Sequence, residues 1–340
     1  MSAPVPSDQT SRQLDHPEGI VHVRELGDGA REVRVELSPS CPSASPIQTI
    51  VTRYPIPLVI QILGVKGPGW LCDEIVREED PTYVSGTLTR ELLSYVNSED
   101  LANKEILDFG CGSGASSMAL ARIFPTAKRI VATDFNEDFI GIVRARRDHY
   151  GADRIHVLLQ PDPSSLPLNV PPVDLIVLSA VVEHMLPNER RSVLPKIWEQ
   201  LRVGGRLFIS DTPHRWFPKE AHTTNLWFLN FQSDDRARQR TIAEAQTGLT
   251  DWKEMLRAGI RGSTEREIID CLTAGRPTHA RIVMPSGPGI RSRADLWYHG
   301  LTRGRHQLAK KAIRKAIGVG ERLTGSLLTQ NITLCIERRL

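Results

Sequence analysis

The chain has 340 residues, enough for one large domain or two ordinary ones with a sizeable core. Its composition, 40% hydrophobic and 24% charged, is that of a soluble globular protein, and a formal net charge of +3 is too small to imply a nucleic-acid partner. Five scattered cysteines (Cys41, Cys72, Cys111, Cys271, Cys335) lack CxxC spacing, which excludes a disulfide framework and a cysteine zinc site and points to a reducing compartment. The first residues carry neither a basic start nor an apolar core, so no signal peptide is expected. "PIPLVIQILGV" is too short and interrupted to span a bilayer, and a cytoplasmic protein is expected.

Residues 1–19 are polar and expected to be frayed. "IVHVREL" and "REVRVEL" alternate apolar and charged residues around Gly27-Asp28-Gly29, which reads as a β-hairpin. "SPSCPSASP" is a low-complexity linker that closes a first segment, 1–46. Residues 47–103 read as a helical cap, with "TLTRELLSYV" its clearest amphipathic piece. From Lys104 strands and helices alternate: "EILDFG", "ASSMALARIF", "RIVATDF", "EDFIGIVRARRDHY", "RIHVLL", "VDLIVLSAV", "ERRSVLPKIWEQL" and "GGRLFIS". Pro195 is expected to distort the last of these helices. Such βα alternation implies a doubly wound parallel sheet, placed here at 104–235. Residues 236–325 read as a helical insertion, and 326–340 as a strand completing the sheet.

"LDFGCGSGAS" joins the first of these strands to its helix. Alone it is ambiguous, because Gly110-x-Gly112-x-x-Ala115 also fits a dinucleotide loop. Three details favour another ligand. Asp108, two residues before Gly110, would repel a pyrophosphate but could hold a cationic amino acid. Gly114 adds a third glycine. Asp134 and Asp162 follow the next two strands, suited to ribose hydroxyls and to an adenine amine.

In this order "EILDFGCGSGAS", "VATDFNEDFI", "PDPSSLPL", "VDLIVLSAVVEHML" and "LRVGGRLFIS" resemble the class I S-adenosylmethionine-dependent methyltransferases over roughly residues 100–215. "VVEHM" and "LRVGGRLFIS" are similar to the branch holding ubiquinone-type O-methyltransferases and many small-molecule methyltransferases. The resemblance implies an α/β, Rossmann-like, mostly parallel seven-stranded sheet with an antiparallel C-terminal edge strand, "NITLCIERR". It implies S-adenosylmethionine as cofactor. It also implies that Gly110, Cys111 and Gly112 line the methionine part, with Asp108 near its amino group, and that Gly114 is a further cofactor-binding residue. Asp134 would bind the ribose, Phe135 would pack on the adenine, Asp162 would read its amine, and Ser179 and Ala180 would pass below the sulfonium. The chain departs from the family at Val203, often proline there, and at Pro161-Asp162-Pro163, often a Gly-Asp-Ala-like sequence.

A hydroxyl acceptor must lose its proton, which a histidine takes well near neutral pH. His184 in "VVEHM" either serves as that base or, with Glu183, braces the next helix. His214 and His222 in "DTPHRWFPKEAHTT" are the other candidates. Five of the nineteen aromatics (Trp216, Phe217, Trp227, Phe228, Phe231) follow closely, as an acceptor wall or as a core cluster under the loop. No local ligand spacing supports a metal site at His184, His214 and His222, and none is expected. Residues 304–318 form a basic amphipathic helix, expected to pack on the domain; the sharper reading is peripheral membrane contact. The expectation is methyl transfer to a small-molecule hydroxyl on a sugar, polyketide-like metabolite, quinone or lipid-linked glycan. An NAD-dependent oxidoreductase and a non-catalytic cofactor-binding regulator are the alternatives, the first disfavoured by Asp108 and Gly114.

Overall fold

The computed structural model describes residues 11–41, 44–167, 169–245, 247–276, 279–300 and 307–340. Two sheets organise it. The first is antiparallel, order β1-β2-β3-β4, from Ser11–His16, Gly19–Gly27, Ala30–Leu37 and Thr49–Thr52. Its centre is the expected hairpin, with Val21, Val23, Val33 and Val35 facing one way by the period-2 rule. Residues 11–16 are not frayed, as expected from their polarity, but pair with β2 as an edge strand; residues 1–10 of that expectation lie outside the described residues. The valines pack on α1 (Ile56–Lys66) and α2 (Pro68–Glu79) through Leu58, Ile62, Leu71 and Ile75. A third helix, α3 (Val84–Leu92), leads to the second sheet.

That sheet has seven strands: β5 (Glu105–Phe109), β6 (Arg129–Asp134), β7 (Ile155–Leu159), β8 (Val173–Ser179), β9 (Leu201–Pro213), β10 (Ala280–Ile282) and β11 (Asn331–Arg338). Their order is β10-β11-β9-β8-β5-β6-β7. Strands β5 to β9 run parallel and β11 antiparallel to β9; the short β10 pairs beyond β11 and was not anticipated. Both faces are covered, so these strands are apolar at successive positions rather than at alternate ones. Ile106, Ile130, Leu175, Val177 and Phe208 face α3, α4 (Ala115–Ile123) and α5 (Glu137–Tyr150). Leu107, Val131, Ile176, Leu178 and Leu207 face α6 (Pro187–Gln200) and α9 (Glu265–Leu272). Pro195 lies inside α6 without ending it.

The segment after β9 holds α7 (Asp234–Glu244), α8 (Trp252–Arg257), α9, α10 (Arg293–Gly300) and α11 (Gln307–Thr324). Helix α11 inverts the expected packing. Its polar side meets the body through Arg314–Asp295 (3.2 Å) and Arg293–Glu321 (3.4 Å), while Leu308, Ile313, Val319 and Leu323 are exposed. Residues 304–306 of the expected helix lie outside the described residues.

Candidate active site

The chain leaves β5 at Phe109 and turns through Gly110, Gly112 and Gly114, with φ of 70°, 53° and 98°, before α4 begins. Side chains rarely adopt this left-handed backbone, so the turn selects glycine. Gly110 is doubly constrained, because a Cβ there would stand 2.8 Å from both methyl carbons of Val181. The loop is tied to β6: Gly110 and Cys111 N–H donate to the Thr133 carbonyl at 2.8 and 2.9 Å. Gly112 N–H donates to Asp134 Oδ2 at 2.9 Å, and Asn136 N–H donates to Oδ1 at 2.9 Å. Burial raises the Asp134 carboxyl above its ordinary value, against the pull of these backbone donors.

Two cavities flank the loop at the carboxyl ends of the parallel strands, where open α/β sheets take ligands. The smaller, about 230 Å³, is mostly apolar, with Phe135, Phe139, Val181 and Met185 in its wall and Asp134, Gln160, His184 and Arg257 as polar groups. The larger, about 580 Å³, is lined by loop residues Gly110, Cys111 and Ser113, by Ser179 and Ala180, and by charged groups including Lys66, Arg77 and Asp211. Gly110 and Ala180 belong to both walls, so the cavities adjoin there. Ala180 reaches this place with a φ of 54°, its N–H donating to the Ser210 carbonyl at 3.0 Å.

Gly110, Asp134, Phe135, Ser179 and Ala180 therefore line cavity walls, as does Cys111, whose thiol burial keeps protonated. Gly112 and Gly114 shape the turn without lining a cavity. Asp108 lies elsewhere. It is 1% exposed, lines neither cavity, and accepts from Ser116 Oγ (2.8 Å) and Ser117 Oγ (2.6 Å) in the first turn of α4. Burial pushes its carboxyl up to about 6. Asp162 is also turned away, exposed and held in its own turn by Ser165 Oγ and Ser164 N–H, each at 2.7 Å. Gln160 stands in the smaller cavity instead, its Nε2 donating to the Asp162 carbonyl at 2.8 Å.

The histidines separate. His214 is 3% exposed, its Nδ1 accepts from Trp216 N–H at 3.1 Å, and it lines neither cavity. His184 lines the smaller cavity and His222 the larger, with ring centroids 5.5 Å apart. Between them lies Glu183, fully buried, whose Oε2 accepts from Thr212 Oγ1 at 3.0 Å and whose Oε1 has no hydrogen-bond partner. Burial pushes that carboxyl up to about 8 and holds His184 and His222 below the ordinary imidazole value. Glu183, His184 and His222 offer donor atoms within 4.8 Å of one another, a set able to hold a metal ion. In the aromatic run at 216–231, Trp216, Trp227, Phe228 and Phe231 are exposed and line neither cavity, Phe217 is half-buried, and the buried apolar side chain of the stretch is Leu229, which packs with Ala237, Met255 and Ile260.

Arg146 of α5 was missed by the sequence reading. It is fully buried and donates to Tyr54 Oη (3.0 Å), Glu74 Oε1 (3.1 Å), the Glu74 carbonyl (2.9 Å) and the Ser113 carbonyl (2.9 Å). It thereby joins the β4–α1 connection and α2 to the glycine loop. A signal existed: Arg146 lies three residues after Val143 and four after Ile142, on the apolar stripe of its helix.

Residues 106–205 match a family described as "Methyltransferase domain". A ribosomal protein L11 methyltransferase of Shewanella frigidimarina is 26% identical over 175 residues, 47% of this chain and 56% of the relative. One of Pseudomonas syringae pv. tomato is 32% identical over 135 residues, 38% and 43% of the two chains. A carboxy-S-adenosyl-L-methionine synthase of Erwinia tasmaniensis is 26% identical over 153 residues, 42% and 60%. The chain thus spans about half the length of the curated relatives it matches. Among solved structures, the apo form of an S-adenosylmethionine-dependent methyltransferase aligns over 76% of this chain and 56% of that one, at 13% identity and a TM-score of 0.43. The sheet order, the glycine turn, the strand-end carboxylate and the family match agree: residues 106–205 match a methyltransferase domain, carried on a Rossmann-like sheet, whose cofactor is S-adenosylmethionine.

Proposed function

We propose that the protein transfers a methyl group from S-adenosylmethionine to a hydroxyl oxygen of a small-molecule acceptor. The observation that carries this is the pair of adjoining cavities, one mostly apolar with the Asp134 carboxylate in its wall, the other larger and charged. Asp134 would accept from ribose hydroxyls while Phe135, Met185 and Gln160 enclose the base. Gly110 and Ala180, at the junction, leave the passage open for the reacting carbon. The cofactor supplies a methyl group on a positively charged sulfur. Transfer would form an O–C bond from the acceptor oxygen's lone pair as the C–S bond breaks with its electron pair staying on sulfur, and the hydroxyl proton would be lost to solvent at the boundary that Glu183, His184 and His222 mark. Alignment in such a site is worth roughly 7–11 kcal/mol.

The names of the L11 methyltransferases point to a protein acceptor. What favours a small one here is the wall that Lys66, Trp70, Tyr83 and Thr87 add to the larger cavity, from a part of the chain outside the matched 106–205. Calorimetry with S-adenosylhomocysteine and with NADH, followed by labelled-methyl transfer into a native extract, tests the proposal. The expected result is binding of the first compound only and label in a small O-methylated product. Binding of NADH alone would overturn it in favour of an oxidoreductase, and label confined to a protein would replace the acceptor. Binding without turnover in any extract would favour a regulator.

A further inference from the structure

We infer that Glu183, His184 and His222 bind a first-row divalent cation at the boundary between the two cavities. The three residues come from two separate segments, the turn after β8 and the segment after β9, so their convergence is a product of the fold. Two imidazoles and one carboxylate suit zinc, cobalt, manganese or ferrous iron and leave coordination positions open, as a catalytic rather than a structural site requires.

Four details of the local geometry support a ligand. Glu183 Oε1 is fully buried without a hydrogen-bond partner and faces His184 Nε2 at 3.8 Å. A buried carboxylate oxygen left without a partner is costly, and a cation would satisfy it. His184 Nδ1 lies 2.7 Å from the Arg257 carbonyl. Since a carbonyl only accepts, Nδ1 carries the proton and Nε2 presents a lone pair to the cluster. That outer hydrogen bond is the one that orients a metal-ligating histidine. Thr212 Oγ1 fixes the other carboxylate oxygen of Glu183 in the same way. Finally, Gly259 (φ 90°) makes room for both side chains: a Cβ there would stand 2.5 Å from His222 Cδ2 and 3.4 Å from Glu183 Cγ.

Metal–ligand bonds of about 2.0–2.2 Å put the donors of a closed site roughly 3.3–3.5 Å apart. A spread of up to 4.8 Å therefore asks for at most about 1.5 Å of closure, which the exposed His222 can supply by rotation. His222 lies in the wall of the larger cavity, so the open positions face the acceptor. A hydroxyl bound there would lose its proton more readily, because the cation stabilises the alkoxide. That last step rests on the proposed methyl transfer; cation binding itself does not.

The full chain, stripped with chelator, would be titrated with Co²⁺ as a spectroscopic probe and with Zn²⁺ in equilibrium dialysis. The expected result is one equivalent of either, competing for one site. Glu183→Gln and His222→Ala are each expected to weaken binding by about tenfold or more. His156→Ala, an exposed histidine on β7, is expected to leave it unchanged. Homocysteine-cofactor affinity reports folding, and if Glu183→Gln loses it, the exposed His222→Ala carries the test. No stoichiometric cation binding by the wild type, or binding unchanged in both cluster variants, overturns the inference. Cation failure with S-adenosylhomocysteine still bound leaves the proposed function standing. Cation binding without S-adenosylhomocysteine binding sinks that function and not this site.

Discussion

Asp134 serves two neighbours at once: it holds Gly112 and Asn136 by their N–H groups and lines the smaller cavity. Asp134→Ala is expected to weaken S-adenosylhomocysteine binding well over tenfold in calorimetry, because charge-assisted hydrogen bonds contribute roughly 1.5–3 kcal/mol each. Unchanged affinity in a folded variant would remove Asp134 from the site. Asp108 leads to a different measurement. Its folded-state value of about 6 lies above the ordinary carboxylate value, so the folded chain binds that proton more tightly than the unfolded chain does. The contribution of Asp108 to stability is therefore full below about pH 4 and lost as pH rises to about 6. Urea unfolding of wild type and Asp108→Asn at both ends of that window isolates it. The wild type is expected to lose on the order of 3 kcal/mol more than the variant. Equal losses would contradict the burial argument. These two acids also mark what was legible in the sequence. The place of Asp134 in a cavity wall was readable, because strand-end positions border the crevice of an open α/β sheet by topology alone. Asp108 was not, because only the packing of Ser116 and Ser117 decides which way a carboxylate one residue inside a strand end turns.

The helix Glu137–Tyr150 was legible to the residue, and its ends show why. Asn136 Oδ1 accepts from Phe139 N–H at 3.1 Å, Glu137 and Asp138 sit in the first turn, and Gly151 closes it with a φ of 58°. Strand β10 has three residues, and β1 is an edge strand whose side chains are all exposed or half-buried. Neither shows a period-2 signal, because the alternation exists only where one face is buried. Packing between elements was least legible. Arg146 ties α5 to Tyr54, to α2 and to the glycine loop, and no short-range pattern specifies three partners so far apart in sequence. Burial alone would raise the Glu74 carboxyl, but Arg146 and Lys66 hold it below its ordinary value. Removing one partner strands the other, so Arg146→Met is expected to lower the unfolding free energy by about 3–5 kcal/mol in urea titrations. It is also expected to weaken S-adenosylhomocysteine binding, since the Ser113 carbonyl loses its anchor. A loss below about 1 kcal/mol would mean that the pair behaves like a surface one.

At the scale of the whole molecule, α11 presents the wrong side to solvent for a helix that merely completes a core. Leu308 and Leu323 are 83% and 81% exposed, and Ile313 and Val319 about half exposed. Leu308, Ala312, Ala316, Val319 and Leu323 recur at helical spacing, so these side chains make one apolar stripe. Lys311, Lys315 and Arg322 are exposed along one flank of it. On the face opposite the stripe Arg314 and Glu321 tie the helix to Asp295 and Arg293, so the stripe cannot roll inward without breaking both ion pairs. Among the described residues no helix is long and apolar enough to cross a membrane. An apolar stripe edged by basic side chains instead suits the interface of an anionic bilayer, where each basic residue near the surface adds about 1 kcal/mol. The full chain is therefore expected to float with phosphatidylglycerol-containing vesicles at low salt and less with neutral phosphatidylcholine vesicles. Binding should fall as salt screens the basic flank, and Leu308→Asp with Leu323→Asp should abolish it while S-adenosylhomocysteine affinity is kept. Absence of flotation at low salt would assign the stripe to a protein neighbour, and loss of a dimer in the same double variant by gel filtration would identify that neighbour as a second copy of the chain.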